Sequence, residues 1–161
     1  MAPTAIFLEP ATVFVNREAT VISTVLGSAV AVTLWERKKK FGGMCHFIFP
    51  KADASQRRTV EYGNVAIYAL IKAMNDFGSN LKDLEAQIFG GAEPLDIPVE
   101  KKTFGPKNIE AARTALQKYR IRVISEDIGG HVGRKISFNT QKNEVVAYKV
   151  KNIRNQDWHF M

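Results

Sequence analysis

The sequence predicts a single α+β domain, a layered fold in which about two helices cover a mixed or mainly antiparallel sheet. Strand-like runs fill the first third of the chain, and two later segments repeat their apolar residues with a helical period. The chain has 161 residues, 45% of them hydrophobic and 24% charged, which is the size and composition of one globular domain. We therefore expect residues 1–161 to form one domain, with 151–161 as a short C-terminal tail.

Four strands are predicted in the N-terminal third. Two are rich in β-branched residues, the third is a largely apolar run after Gly27 and Ser28, and the fourth is ended by Pro50. The charged stretch 36–40 separates the last two strands and predicts the turn of a hairpin. The four strands are 12–16, 20–26, 29–35 and 44–49.

Two helices are predicted further along, at 63–77 and 107–119, each from an apolar stripe at helical spacing. Gly78 is suited to end the first of them. The stripes consist of Ile67, Leu70, Ile71 and Met74 in the first helix and of Ile109, Ala112, Leu116 and Tyr119 in the second. Shorter strand candidates lie at 84–89, 121–124 and 145–150, and a glycine-rich loop occupies 127–134.

Composition excludes several classes of protein. No apolar run approaches the ~20 residues that span a bilayer, and no basic segment followed by an apolar block opens the chain, so we expect neither membrane insertion nor a secretory signal. Cys45 is the only cysteine, which excludes an internal disulfide and a cysteine-rich zinc site and fits a cytoplasmic location. The acidic residues show no metal-ligand spacing, and we expect neither a metal nor a cofactor.

The net charge of +7 indicates acidic partners without naming them. The basic run 37–40 has the composition of a phosphate-binding patch, but we prefer to interpret it as a solvated hairpin tip, because no nucleic-acid-binding motif accompanies it. We therefore expect no nucleic acid partner. A basic domain that binds nucleic acid through 37–40 stays an alternative, and strongly salt-dependent affinity would be its mark.

Three histidines are the candidates for acid–base chemistry near neutral pH. His159 near the C-terminus is interpreted as a surface residue and His131 as a loop residue. His46 is more informative because it lies inside an apolar strand, where a histidine is either hydrogen-bonded within the core or catalytic. Cys45 is adjacent to it, but successive side chains of a strand point to opposite faces, so we interpret Cys45 as a core residue.

The segment 23–29 is a strand that leads into a tight turn of small residues, Gly27 and Ser28. Such a turn allows backbone N–H groups to face a ligand, as an oxyanion hole requires. The plain alternative is a connection between two core strands, since Gly-Ser turns are common.

Several motifs, taken in their order along the chain, resemble those of CheD, the chemoreceptor glutamine deamidase family of bacterial chemotaxis. A Leu-Gly-Ser turn runs into an apolar strand, and a Gly-Gly-Met-x-His-x-x-x-Pro segment follows at the family's spacing, all within 23–50. The later matches are Phe89-Gly90-Gly91-Ala92, Gly105-Pro106-Lys107-Asn108, and Glu126-Asp127-Ile128-Gly129-Gly130 with Arg134. The resemblance covers nearly the whole chain.

The resemblance implies a site with a Cys-His hydrolase arrangement. The position of the family's nucleophilic cysteine holds Ala29, His46 matches the catalytic histidine, and Ser23 stands where the family has the polar residue that orients the histidine. Gly27 and Ser28 would supply oxyanion donors. The secondary candidates beside this set are Thr24, Gly90 and Gly91.

The resemblance also implies a function. The substrates would be glutamines, or methyl-esterified glutamates, on the cytoplasmic helices of methyl-accepting chemotaxis proteins, and the chemotaxis phosphatase CheC would be a regulatory partner. Because alanine has no nucleophilic atom, we expect the chain to be inactive as it stands. Ala29 is either an engineered replacement of cysteine, which we favour because the rest of the site is intact, or a natural loss that leaves a non-catalytic binding module.

Overall fold

In the computed structural model, which describes residues 2–96, 98, 100 and 104–150, nine strands and two α-helices make up the fold. The predicted tail 151–161, with His159, lies outside the described residues. The elements are β1 (Thr4–Phe7), β2 (Thr12–Asn16), β3 (Thr20–Leu26), β4 (Val30–Glu36), β5 (Phe41–Phe47), α1 (Gly63–Asp76), β6 (Leu84–Gly90), α2 (Phe104–Lys118), β7 (Arg122–Ile128), β8 (Gly133–Asn139) and β9 (Glu144–Val150). A short 3₁₀ helix, Leu81–Asp83, precedes β6.

The strands form two sheets. One has the order β1-β3-β8-β9 and the other the order β2-β5-β4-β6-β7. The pairs β1/β3 and β6/β7 are parallel, and the other pairs are antiparallel. The predicted α+β class with mixed strand pairing and two helices is therefore confirmed, and the structure adds that the strands are divided between two sheets.

The layers are the four-stranded sheet, the five-stranded sheet and the helices, with one apolar cluster between each two adjacent layers. Strand β4 contributes to both clusters because its side chains alternate between its two faces. Val30, Val32 and Leu34 pack toward the helices, whereas Ala31 packs toward the other sheet together with the preceding Ala29. A strand buried on both faces has a nearly continuous apolar sequence, which explains the run that predicted it.

Two strands were not predicted, β1 and β8, and three elements extend at least three residues beyond one of their predicted ends. Strand β5 begins at Phe41 instead of residue 44, because Gly42 and Gly43 belong to the strand and admit the backbones of both neighbouring strands. Helix α2 begins at Phe104, and β7 continues to Ile128. Strand β8 was missed because it begins inside the glycine-rich loop with Gly133 and Arg134.

The basic run 37–40 forms the turn between β4 and β5, as predicted. Three of its side chains are engaged by the protein. Arg37 and Lys38 pair with the buried Asp83 at 3.2 Å and 3.8 Å, and Lys39 Nζ donates to the carbonyl of Gly78 just beyond α1. Arg17 Nη1 likewise donates to Phe77 O at 2.8 Å. Helix α1 has no basic residue in its own last turn, so cations from elsewhere in the chain stabilise its negative end. Neither described helix is long and apolar enough to cross a membrane.

Candidate active site

His46 lies on β5 between the two sheets. Its register partners are Ala31 of β4 and Thr12 of β2, and its side chain is fully buried. On the opposite sheet, β3 presents Thr24, whose Oγ1 lies 2.8 Å from His46 Nδ1. One hydrogen bond therefore joins the two sheets at this point.

The hydrogen bonds of Thr24 determine which nitrogen of His46 carries the proton. The Thr24 hydroxyl donates its single hydrogen to the backbone carbonyl of Leu8 at 2.8 Å. Its contact with His46 is then one in which Thr24 Oγ1 accepts and His46 Nδ1–H donates. In the neutral ring this leaves a lone pair on Nε2, which is buried and has no hydrogen-bond partner among the described residues. This is the tautomer that a general base needs.

Burial keeps the His46 ring neutral. Removal of the ring from water disfavours the imidazolium and lowers the pKa of His46 from 6.5 to about 3. An anion placed beside Nε2 would oppose this effect, because an opposite charge favours the protonated ring.

Ala29 immediately precedes β4 and lies on the same side of the sheet as His46. Because His46 is opposite Ala31, Ala29 is its diagonal neighbour, which places the two residues roughly 7–8 Å apart along the sheet. The side chains of Ala29 and His46 both face the layer between the two sheets. Both residues are fully buried, so neither side chain is accessible to solvent in this structure.

The loop after β6 holds the turn that carries Ala29. Gly91 N–H donates to Ala29 O at 2.9 Å, and Ala92 N–H donates to Gly27 O at 3.0 Å. Gly90 has φ +102°, and a Cβ there would collide with the carbonyl oxygen of Ala29. The secondary candidates Gly90 and Gly91 thus act through backbone contacts with the turn.

Asn108 on α2 is fully buried and contacts the same turn. Its Nδ2 donates to Ser28 O and to Ile48 O, each at 2.9 Å. The sequence showed Asn108 only as a motif residue. Asn108 is, however, a polar residue within the buried stripe of α2, between Gly105 and Ala112.

The expectation that Ser23 orients His46 is wrong in this structure. Ser23 Oγ shares a hydrogen bond of 2.8 Å with Ser137 Oγ on β8, and Thr24 makes the contact with His46. Adjacent residues of a strand face opposite sides, so only one of the two hydroxyls can point between the sheets.

The alternation of side chains along β3 could have identified Thr24, rather than Ser23, as the residue that faces His46. On β3, Ile22 and Leu26 are fully buried, and Thr24 lies between them on the same face. The apolar residues of the strand therefore mark the inward face, and with it the hydroxyl that the core must satisfy.

Cys45 is a core residue, as its position predicted. It packs with Phe47 in the cluster between the five-stranded sheet and the helices, on the face opposite His46. Burial raises the pKa of the Cys45 thiol to about 12, so the thiol stays protonated and unreactive near neutral pH.

The glycine-rich loop supports the loop after β6 from outside. Gly129 N–H donates to Gly90 O at 2.9 Å, and the buried Arg134 donates to Gly129 O at 2.8 Å while it pairs with Asp127 at 3.2 Å. His131 is exposed, as expected of a loop residue. Within the described part of the chain, no group of His, Cys, Asp and Glu is placed to hold a metal ion.

The chain is similar to known proteins over most of its length. A family described as "CheD chemotactic sensory transduction" matches residues 49–149. A protein of Trichlorobacter lovleyi is 40% identical over 145 residues, 90% of each chain, and one of Sulfurimonas denitrificans is 37% identical over 146 residues, 90% of this chain and 94% of the relative. One of Archaeoglobus fulgidus is 33% identical over 129 residues, 79% of this chain and 82% of the relative.

All three relatives carry the name "Probable chemoreceptor glutamine deamidase CheD". The family match begins after His46, but the alignment with the Trichlorobacter protein spans 90% of the chain and therefore includes positions 29 and 46. The length and identity of these matches exceed what a shared fold alone would explain. The chain belongs to the CheD family.

Proposed function

We propose that the buried site between the sheets, formed by His46, Thr24 and the turn 27–29, is a glutamine deamidase site for chemoreceptors in which Ala29 occupies the nucleophile position. The observation that carries the proposal is the bond from His46 Nδ1–H to Thr24 Oγ1, which leaves a basic Nε2 on the face shared with Ala29. The oriented imidazole and the adjacent turn are the parts that thiol-based acyl transfer requires around its nucleophile.

A cysteine at position 29 would complete the reaction. His46 Nε2 takes the thiol proton, and the thiolate attacks the side-chain amide carbon of a glutamine. The tetrahedral oxyanion is held by backbone N–H groups of the turn 27–29, and His46 returns the proton to the departing ammonia. Water then hydrolyses the thioester to a glutamate and regenerates the thiol. A glutamate methyl ester follows the same route with methanol as the leaving group.

Alanine at position 29 removes the atom that forms the covalent bond. Loss of the nucleophile from a comparable triad lowers the rate by about 10⁶-fold. The chain as it stands is therefore expected to be essentially inactive, with a site otherwise arranged for catalysis.

The substrate and partners of the proposal derive from the family. The relatives are named as chemoreceptor glutamine deamidases, so the substrates proposed here are glutamines on the cytoplasmic helices of methyl-accepting chemotaxis proteins. A CheC-type phosphatase is the proposed regulatory partner, and the cytoplasm is the compartment in which all of these proteins meet.

Restoration of the nucleophile tests the proposal. The variant Ala29→Cys should release ammonia from a purified cytoplasmic chemoreceptor fragment, while the unmodified chain and the double variant Ala29→Cys/His46→Ala should not. Mass spectrometry should locate a gain of about 1 Da on specific glutamines, because an NH₂ group is replaced by OH. Absence of ammonia release from a folded Ala29→Cys variant would refute the proposal.

A non-catalytic binding module is the second candidate, and Ala29 itself is the observation in its favour. Such a module would bind the receptor fragment or the phosphatase with the same affinity before and after Ala29→Cys, and neither form would turn substrate over. Binding by calorimetry combined with the ammonia assay separates the two functions.

A further inference from the structure

We propose that Asn108 is a positioning residue of this site: it fixes the Ser28–Ala29 peptide relative to the strand that carries His46. The proposal rests on the deamidase function proposed above and adds a residue on α2 to its machinery. Asn108 makes no hydrogen bond to Ala29 or to the imidazole. It acts through the backbone carbonyls of Ser28 and Ile48, to which its side chain donates.

A single amide nitrogen joins the two catalytic segments. Asn108 Nδ2 donates to Ser28 O, next to the nucleophile position, and to Ile48 O, two residues after His46. Ser28 and Ile48 belong to different segments that only the fold brings together, one before β4 and the other after β5. The amide therefore sets the separation between the nucleophile position and the base at the end of the sheet where both lie.

The bond to Ser28 also sets the direction of a candidate oxyanion donor. In a trans peptide the C=O and the following N–H point in opposite directions, and no cis peptide occurs among the described residues. Because the Ser28 carbonyl is drawn toward Asn108, the N–H of Ala29 points away from α2. An oxyanion donor must be aimed before the reaction begins, so loss of this bond should weaken stabilisation of the transition state rather than substrate binding.

Helix α2 packs closely enough against the loop after β6 to hold Asn108 in a fixed position relative to the turn 27–29. Gly105, one turn before Asn108, packs directly on the backbone of the loop after β6, and a Cβ there would collide with the carbonyl oxygens of Gly91 and Ala92. The side chain of Ile109, also on α2, packs directly on Gly91 of the same loop, since a Cβ at Gly91 would collide with it. Helix α2 and the loop after β6 thus meet at backbone atoms. Because that loop is also hydrogen-bonded to the turn 27–29, α2 has little room to shift relative to the turn.

The chain offers a matched control on the other helix. Asn64 on α1 also bridges backbone groups, since its Oδ1 accepts from Ala52 N–H at 2.9 Å and its Nδ2 contacts Ala52 O at 3.4 Å. This contact involves neither the turn 27–29 nor the strand of His46. Asn64→Ala therefore removes an asparagine bridge of similar kind without a link to the site.

The steady-state test uses the Ala29→Cys background. Asn108→Ala should lower kcat about 10- to 100-fold with KM changed less than about 3-fold, a smaller loss than the roughly 10²- to 10³-fold that removal of an oxyanion donor produces. Asn108→Ser keeps one donor and should recover part of the loss. Asn64→Ala should leave kcat and KM unchanged. An unchanged kcat in folded Asn108→Ala, or a loss confined to KM, would overturn the proposal.

A second readout needs no receptor substrate and keeps the two proposals separate. In the Ala29→Cys background, the pH dependence of alkylation by iodoacetamide reports the pKa of the introduced thiol, and the unmodified chain, with Cys45 alone, gives the background. In Asn108→Ala the alkylation midpoint should move up by about one pH unit, because the thiolate and the imidazolium are no longer held together, and in Asn108→Ser it should move up by less. If Ala29→Cys releases no ammonia, this shift still tests Asn108, and identical midpoints in all variants would contradict its role.

Discussion

Thr24 and His46 form a hydrogen-bonded polar pair within the apolar layer between the sheets. A buried hydroxyl or ring nitrogen without a hydrogen bond destabilises the fold by about 1–3 kcal/mol. The relay from His46 Nδ1–H to Thr24 Oγ1 and from Thr24 to Leu8 O satisfies two donors and fixes the ring. His46 Nε2 takes no part in these hydrogen bonds, and it is the atom at which the proposed proton transfer takes place.

Removal of the threonine hydroxyl tests this relay at the residue scale. In the Ala29→Cys background, Thr24→Val preserves the shape of the side chain but leaves His46 Nδ1–H without its acceptor, so kcat should fall about 10- to 100-fold. Ser23→Ala, one position away on the other face, should change kcat by less than about 2-fold. Steady-state ammonia release compares them, and a larger effect from Ser23→Ala would restore Ser23 to the role that the sequence suggested.

The buried imidazole also predicts how stability depends on pH. The folded pKa of His46 is about 3, whereas the unfolded chain titrates near 6.5, so between these values the unfolded state binds one more proton. The His46 contribution is therefore complete above pH 6.5 and is lost as the pH falls to about 3, at up to about 1.4 kcal/mol per pH unit.

Urea denaturation at several pH values measures this contribution. The free energy of unfolding of the unmodified chain should fall more steeply between pH 6.5 and 3 than that of His46→Gln. The exposed His131→Gln variant should behave like the unmodified chain. Parallel curves for the unmodified chain and His46→Gln would show that the ring is not held neutral by burial.

At the scale of elements, two loops are stacked on the turn that bears Ala29. The loop 129–132 binds Gly90 through Gly129 N–H, and the loop after β6 binds Ala29 through Gly91 N–H. At Gly90 and Gly105 a Cβ would collide with backbone oxygen atoms, so glycine there lets two backbones approach closely. Gly129 and Gly130 have open space around them, and their positive φ angles are the reason that glycine suits them.

Gly90→Ala tests this stacking, with Gly130→Ala as its control. Both glycines have positive φ, +102° and +75°, but a Cβ at Gly130 meets nothing within 4 Å, whereas one at Gly90 meets Ala29 O. Gly130→Ala should destabilise the protein by about 1–2 kcal/mol through backbone strain alone. Gly90→Ala should exceed it by at least about 2 kcal/mol because the contact also displaces the turn. Urea unfolding compares them, and equal losses would argue against close support.

At the scale of the molecule, the five-stranded sheet is the central layer, with an apolar cluster on each face. Cys45 lies in the cluster on the helix side and His46 in the cluster between the sheets, although the two are adjacent in sequence. The sheet therefore separates the buried Cys45 thiol from the candidate site around His46. A dyad between them would require two neighbouring side chains of one strand to point the same way.

Cys45 serves as a natural probe of global unfolding. Its thiol should not react with a maleimide near neutral pH within hours, since burial holds its pKa near 12 and the helices cover it. In urea the labelling rate should rise in parallel with the unfolded fraction followed by circular dichroism. Rapid labelling without denaturant would reveal that the helices open locally from the sheet.

Much of the fold was predictable from local patterns, and the exceptions have local causes. Strands β2 and β3 were predicted with their observed bounds because β-branched residues fill them. Strand β8 was missed because its first residues are glycine and arginine, and its buried apolar residues, Ile136 and Phe138, come late. The division of strands between two sheets follows from pairing of segments far apart in sequence, which periodicity does not report.

The sequence by itself determined most of the elements, the family and the absence of a nucleophile at position 29, because these depend on residue identity and spacing along the chain. Only the tertiary structure decided between the hydroxyls of Ser23 and Thr24, since the choice depends on which face of β3 covers His46. It also decided the place of Asn108, which lies 80 residues beyond Ser28 and reaches its carbonyl only when α2 packs against the sheet. Contacts between distant segments are set by packing of whole elements, and no local pattern encodes them.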